Sequence, residues 1–448
     1  MSSRLRFVLL LAFLLRTAIF GAAYFFLRDN TAFYAKDTWS YLQPAMELIT
    51  AGSFTAFGEP ELFRTPGYAL FLSVGLLFGH VEFITIALQI LLSCATIYLV
   101  FRIAMELFDD ERTATWGALA YSLEPLSIIY CSWLLSETLF AAMFAAALLC
   151  LLKFVRQRLR SHLLWAAILF VATAYVRPIG YILPLVVTIV LLLWSVAKRE
   201  WELTKPALIF CLLSFMLLGA WQIRNYRQTG YAGFSIAADY NLYFHQVAAL
   251  QASAERRPFY EVMDEMGFYD REKYFQAHPE QRSWSLARRC EYMRHKAIQV
   301  LSRAPLSFAR IYLRGLTILM FDPGAAEYLR LFRLYPRSGH LQNTVVGEGL
   351  TSTVVGIVTK QPLLFALSAL FGLWLLVIYA LALWGLKGQP FTLPLILLLT
   401  TGLCQLALSG GTLASGRFRM PVMIVVCILA GQGLSKLKQL KKITRSAS

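Results

Sequence analysis

Acid is scarce in this chain. Asp and Glu number 26 against 42 Lys and Arg in 448 residues, and all charged types together make up 15%. A soluble domain carries about 25%. With 58% apolar residues and a mean hydropathy of +0.57, the chain has no means of covering a water-facing surface. A bilayer removes that demand, because spanning helices satisfy their own backbone groups. Cysteine is sparse too: six of the seven lie in apolar stretches and none forms a CxxC pair. That excludes a disulfide framework or a cysteine zinc site. The six histidines are scattered without ligand-like spacing, so no cofactor is called for. A divalent metal stays open, with no ligand cluster visible. No internal repeat or low-complexity tract is present.

What is abundant is positive charge at the ends of apolar runs. The net charge is +16, which on a soluble chain would point to nucleic acid. Here the basic residues cluster at 153–160 and 436–442 (KLKQLKK). Positive loops stay cytoplasmic and meet anionic lipid. Membrane lipid is therefore a partner and nucleic acid is not. An anionic lipid substrate suits the same charges.

A spanning helix needs about 20 mostly apolar residues. Runs at 6–27, 82–104, 114–131, 132–154, 163–176, 178–197 and 205–223 qualify, followed by 306–322, 361–386, 391–409 and 417–435. Segment 66–79 is short and 344–358 is weak. The fold expected is an all-α polytopic membrane protein of about 11–13 transmembrane helices with extracytoplasmic loop helices. The first run follows Arg4 and Arg6 and is longer than a signal-peptide core, so it reads as a retained anchor. The positive-inside rule puts both termini in the cytoplasm. It also makes the first seven runs alternate if 66–79 does not cross. Loop 28–65, stretch 226–304 and the turn at 410–417 then face outward. Run 306–322 breaks the alternation unless 344–358 crosses, with Arg330, Arg333 and Arg337 in a cytoplasmic turn. The domain division expected is a seven-span module at 1–225 and an extracytoplasmic helical loop at 226–304. Variable C-terminal spans at 305–435 and a basic cytoplasmic tail at 436–448 complete it. Segment 284–303 mixes apolar and basic residues at helical spacing and reads as an amphipathic helix near the membrane surface.

Ionisable groups near membrane depth are costly and are functional candidates by default. Asp37 opens Asp37-Thr-Trp-Ser-Tyr41, and Tyr41 shares its face one helical turn on. The aspartate is either a catalytic carboxylate or a helix N-cap; the sequence leaves both open. Arg64 precedes Thr65-Pro-Gly-Tyr68. It could clamp a phosphate or anchor a helix end. Glu137 opens an apolar helix and serves as a dipole partner or as a mate for an arginine. Arg177 lies between two spans and needs a counter-charge. Arg224 and Asn225 end the seventh span, and Arg417 and Arg419 precede the last. The last two violate the positive-inside rule if their turn faces out, and an anionic ligand would explain the violation. Together Arg64, Arg177, Arg224, Arg417 and Arg419 would ring one face with charge suited to a lipid phosphate or diphosphate.

In order, the segments are Asp37-Thr-Trp-Ser-Tyr41, Arg64-Thr-Pro-Gly-Tyr68, Pro125-Leu-Ser-Ile-Ile-Tyr130, Leu134-Leu-Ser-Glu137, Val176-Arg-Pro178, Trp221-Gln-Ile-Arg-Asn-Tyr226 and Arg417-Phe-Arg-Met-Pro421. The set resembles the C-superfamily of membrane glycosyltransferases, in particular bacterial proteins similar to protein O-mannosyltransferases and the lipid A aminoarabinose transferase. The resemblance implies a seven-span module with an essential acid in the first outer loop, where Asp37 stands. It further implies a polyprenyl-phosphate sugar as donor partner, an acceptor that is a protein, lipid or glycan, and residence in the bacterial inner membrane. Many members carry two adjacent acids in this loop. Here Thr38 follows Asp37, and the remaining loop acids include Glu59 and Glu61.

The reaction expected is a single displacement with inversion. Asp37 would act as general base toward the acceptor. Arg64, Arg224, Arg417 and Arg419 would bind the donor phosphate, with Tyr41, Tyr68, Glu137, Arg177 and Asn225 in support. A lipid transporter or flippase, or a non-catalytic member of the family, is the competing reading. The absence of repeated halves and the gathering of polar residues at one face speak against transport.

Overall fold

The computed structural model describes residues 2–336 and 361–447; the run 344–358 and Arg337 lie outside them. The protein is an all-α polytopic membrane protein. Among the described residues, seven helical stretches are long and apolar enough to cross a bilayer, including Ser3–Leu27, Val81–Phe108, Glu137–Gln157 and Pro362–Leu386. Three apolar helices are shorter: Pro66–Leu77, Arg160–Val176 and Leu393–Leu408.

Helix α1 (Ser3–Leu27) is a continuous apolar run started by the Ser2 hydroxyl, which accepts from the Leu5 amide, and stopped by Arg28 in the left-handed conformation. The chain then enters the first loop, which holds α2 (Thr38–Ala51) and a hairpin of β1 (Thr55–Ala56) and β2 (Glu59–Pro60). Helix α3 (Pro66–Leu77), at 12 residues, is shorter than a bilayer crossing needs. It lies antiparallel to the first turns of α4 (Val81–Phe108): the Tyr68 hydroxyl donates to Gln89 Oε1 at 2.9 Å, and Gly75 abuts Val81. The run 114–131 is not one helix. Helix α5 (Glu111–Ser122) stops, and α6 (Pro125–Ile129) restarts with Pro125 in its first turn and Glu124 accepting from the Ser127 amide. Proline lacks the N–H that a continuous helix would use there, so the rod breaks.

Helices α7 (Glu137–Gln157), α8 (Arg160–Val176), α9 (Leu183–Lys198) and α10 (Thr204–Thr229) follow in antiparallel order. The pair Arg177–Glu137 joins the end of α8 to the start of α7, and Arg224 near the end of α10 reaches the first loop. These contacts gather at one end of the bundle, the site end. Of the first seven expected runs, those of α1, α4, α7, α9 and α10 are long and apolar enough to cross, α8 is shorter, and 114–131 is broken into α5 and α6.

Between α10 and the next apolar helix lie α11 (Ala237–Tyr240), a π-helix (Asn241–Val247), α12 (Ala248–Glu255), α13 (Phe259–Glu265), α14 (Arg271–Ala277) and α15 (Leu286–Arg303). The amphipathic helix expected at 284–303 is α15, with Cys290, Met293, Ala297 and Leu301 on its buried face. That face is used within the loop, where Met293, Ala297 and Leu301 join Tyr243, Phe244, Tyr274 and Phe275 in one core rather than resting on the membrane surface.

Helix α16 (Pro305–Phe321) follows the loop and ends at the site end, where Asp322 accepts from the Gly416 amide, and it is not among the helices long and apolar enough to cross. After it, α17 (Ala325–Leu331) leads to Arg333, which pairs with Asp29 just beyond the end of α1. The cytoplasmic turn expected at Arg330 and Arg333 is therefore at the site end, where Arg330 pairs with Glu327. Helices α18 (Pro362–Leu386), α19 (Leu393–Leu408) and α20 (Met420–Ala447) complete the bundle. Lys436 donates to the carbonyls of Gly385 and Lys387, which puts the basic end of α20 beside the end of α18, far from the site. Small residues let these helices touch: a Cβ on Gly431 would strike the backbone of α5 at Thr113 and Gly117.

Candidate active site

Asp37 stands at the N-cap position of α2, but its side chain makes no cap bond. The alternative left open by the sequence resolves against the cap. One carboxylate oxygen, Oδ1, accepts from Arg64 Nη2 at 3.1 Å, and the other, Oδ2, accepts from Arg417 Nη2 at 2.8 Å. Arg417 thus reaches a carboxylate 380 residues before it in the chain. The Asp37 side chain keeps 32% of its surface exposed. Burial pushes its carboxyl up, but the charges of Arg417 and then Arg64 outweigh this and hold it well below the usual carboxylate range.

Arg64 is fixed on every side. Its Nε donates to the Ser40 hydroxyl at 2.8 Å, Nη1 donates to the Tyr41 hydroxyl at 3.0 Å, and its guanidinium lies 4.3 Å from the centroid of the Tyr41 ring. Tyr41 shares a further hydrogen bond with Ser136 and meets the Tyr68 ring edge-on. The other side of the site is a chain of alternating charge. Arg417 Nε lies 3.7 Å from Glu137 Oε1, which also pairs with Arg177 at 3.1 Å. Glu137 is 3% exposed, and its second oxygen, Oε2, has no partner among the described residues. The sequence Arg64–Asp37–Arg417–Glu137–Arg177 holds three cations and two anions. It carries one uncompensated positive charge in a half-buried setting, which suits an anion.

Arg224 and Arg419 are not part of this chain, contrary to the phosphate-binding role expected from sequence. Arg224 donates to the carbonyls of Glu61 and Phe54 and stacks on Trp221. Arg419 is buried and donates to the carbonyls of Leu319, Met320 and Asp322, closing the open end of α16. Most of their donors are committed to backbone; Arg224 Nη1 also donates to Asn225 Oδ1, and Arg419 Nε is buried without a partner among the described residues. Asn225 is likewise structural, donating to Gly233 and Phe234. Neither remaining acid of the hairpin region joins Asp37: Glu61 accepts from the amides of Phe63 and Arg64, and Glu59 is exposed in β2. Thr38, at the place of a second acid, clamps the loop by donating to the Leu134 carbonyl at 3.0 Å.

Sequence reasoning missed Ser40, Ser136 and Gln89. Gln89 was findable as a lone amide in an apolar helix; it is buried and donates to the carbonyls of Cys131 and Trp133. It missed Arg16 as well. That residue is wholly buried in α1, donating to Ser93, Ser127 and the Ser122 carbonyl just below the site. Among the described residues no three His, Cys, Asp or Glu side chains converge in a group that could hold a metal.

Residues 64–222 match the sequence model of a family described as dolichyl-phosphate-mannose-protein mannosyltransferase. Arg64, Tyr68, Glu137 and Arg177 fall inside that match, and Asp37 and Arg417 outside it. A search of curated proteins finds no match. Among solved structures, the archaeal oligosaccharyltransferase AglB of Archaeoglobus fulgidus, in complex with an inhibitory peptide and a dolichol-phosphate, superposes over 99% of this chain at a TM-score of 0.53 and 14% identity. The chain shares the fold of this oligosaccharyltransferase. It spans about half of that enzyme, 51% of its length. A second structure of the A. fulgidus oligosaccharyltransferase, tethered to an acceptor peptide, aligns at a TM-score of 0.50 and 13% identity over 99% of this chain and 51% of that one. ArnT from Cupriavidus metallidurans bound to undecaprenyl phosphate aligns at 0.38 and 15% identity over 94% of this chain and 77% of that one, below what marks a common fold. In this fold, Asp37 sits where the first loop meets the bundle.

Proposed function

We propose that the chain transfers a sugar from a polyprenyl-phosphate-linked donor to an acceptor on the extracytoplasmic face of the membrane. One observation carries this reading: a loop carboxylate held between two arginines at the end of a bundle with the C-superfamily glycosyltransferase fold. The mannosyltransferase family match supports it, as does the dolichol-phosphate bound to AglB.

Asp37 takes the proton from the acceptor hydroxyl while the acceptor oxygen bonds to the anomeric carbon. The bond from that carbon to the phosphate oxygen breaks, and its electron pair leaves with the polyprenyl phosphate. Attack opposite the leaving group inverts the anomeric centre. A phosphate leaves without a proton, so one carboxylate suffices, unlike hydrolytic glycosidases with two. Arg417 and Arg64 stabilise the charge that develops on the leaving phosphate. Glu137 and Arg177 hold Arg417 in position.

The resting site makes Asp37 a poor base, because both guanidinium groups are turned on it. An incoming phosphate competes for the same donors. As they shift to the phosphate, Asp37 loses its counter-charge and its affinity for a proton rises. Donor binding thereby prepares the base.

Asp37→Asn tests the assignment in proteoliposomes supplied with a panel of polyprenyl-phosphate sugars and membrane extract as acceptor source. Transfer falls by about 10²–10⁴ if the carboxylate is the base. Undiminished transfer by a normally inserted Asp37→Asn protein would remove Asp37 from the chemistry.

A further inference from the structure

A cavity of about 590 Å³ lies between α1, α5 and α20, lined among others by Arg4, Phe7, Arg112, Trp116, Leu119 and Lys438. It is at the opposite end of the bundle from Asp37. The 25 residues of α1, at about 1.5 Å each, separate it from the site end by roughly one membrane thickness. Its floor therefore lies at the headgroup level of the other leaflet.

Three cations face this cavity, and none of them pairs with a carboxylate among the described residues. The arginines at Asp37 are all paired, so the contrast is marked. Asp110, the acid beside the cavity, is committed elsewhere: it accepts from Thr113 and from Ser435 of α20. The Lys438 ammonium sits 3.8 Å from the centroid of the Trp116 ring, an arrangement that places a cation and an amphipathic ring together at interface depth. The wall is apolar. Phe7, 64% exposed on the outside of α1, continues it onto the lipid-facing surface. A soluble anion would use the cations but not that wall. A lipid phosphate uses both.

We propose that this cavity binds the headgroup phosphate of an anionic phospholipid from the leaflet opposite Asp37. Arg4, Arg112 and Lys438 hold the phosphate, and Phe7 and Leu119 receive the start of the acyl chains. The lipid ties the basic end of α20 to α1 and α5. This site is independent of the sugar-transfer reading.

The full-length protein is reconstituted in nanodiscs of phosphatidylcholine with and without phosphatidylglycerol, and retained lipid is measured by native mass spectrometry. Wild type keeps phosphatidylglycerol in preference to phosphatidylcholine. The triple variant Arg4→Gln/Arg112→Gln/Lys438→Gln loses that preference by about a hundredfold, roughly fivefold for each charge removed. Arg160→Gln/Lys198→Gln/Lys205→Gln, with three cations removed elsewhere at basic helix ends, keeps it. Equal loss in both triples would reduce the effect to general surface charge and overturn the site. Inorganic phosphate that abolishes phosphatidylglycerol retention by wild type would overturn the lipid assignment in favour of a free anion. A second measurement needs no charge variant. The fluorescence lost in Trp116→Phe reports this one ring, and brominated phosphatidylglycerol quenches it more than brominated phosphatidylcholine; equal quenching refutes the proposal.

Discussion

Replacing Arg417 with alanine probes the site most sharply, because this residue touches both acids. Its Nη2 lies 2.8 Å from Asp37 and its Nε 3.7 Å from Glu137. A unit charge about 4 Å from a phosphate is worth about 4 kcal/mol at an effective dielectric near 20. Arg417 must loosen its two carboxylate contacts to make that one, so we assign about half, or ~2 kcal/mol, to binding. That is about thirtyfold in affinity. Titration of the detergent-solubilised protein with a polyprenyl phosphate, followed by calorimetry, measures it without knowledge of the sugar. A second readout is the pH dependence of transfer. Asp37 is held below its ordinary value of 3.8, largely by Arg417, so in wild type the acid limb of kcat/KM lies below that value. Losing Arg417 removes the larger of the two charges that favour the ionised form, and the limb moves up toward 3.8. Unchanged polyprenyl-phosphate affinity in Arg417→Ala, or an acid limb that stays or falls, would refute the reasoning.

Other perturbations test the frame around the site. Arg16→Met leaves the Ser122 carbonyl without its donor and removes the lesser of two positive charges near buried Glu124, Arg419 being the larger influence. It lowers stability by about 3 kcal/mol or more, read as an earlier loss of monodisperse protein on heating in detergent; a wild-type midpoint counts against the buried network. Gly67→Val puts a Cβ within 2.7 Å of the Tyr175 carbonyl, pushing α3 off α8 and displacing Arg64. Transfer drops while the protein stays membrane-inserted, and wild-type activity would show that α3 does not position the site. Arg224→Gln removes bonds to the Phe54 and Glu61 carbonyls and costs about 1–3 kcal/mol of stability. Polyprenyl-phosphate affinity stays as in wild type, and a clear loss would return Arg224 to the phosphate site.

The apolar runs made most of the bundle legible, because a bilayer tolerates few other ways of placing about 20 apolar residues. Asp37, Arg64, Glu137, Arg177 and Arg417 were legible for the converse reason: a charge at the membrane edge needs a partner, and each of these has one here. Hydropathy could not separate α16 from a crossing helix. Its depth is set by Arg419 closing its end and by Arg333 reaching Asp29, contacts between segments about 100 and 300 residues apart. The same limit applies to Arg224 and Arg419, since a sequence shows a guanidinium but not the carbonyls that occupy it. The broken α5–α6 was readable in principle, because Pro125 after Glu124 is a helix-start signal inside an apolar run.

The first loop is anchored along its length. Thr38 is bound to Leu134, Phe33 accepts from the Leu134 amide, Arg224 grips Phe54 and Glu61, and Leu62 and Phe63 accept from Ile236 and Ser235. Such a segment behaves as a floor, not a lid. Under the proposed function, such a floor requires a lipid donor to slide in sideways along the membrane plane, with its tail still in the hydrocarbon. On the same reading, selection among acceptors passes to the aromatic-cored loop between α10 and α16, which packs on that floor through Ile236 and Ser235.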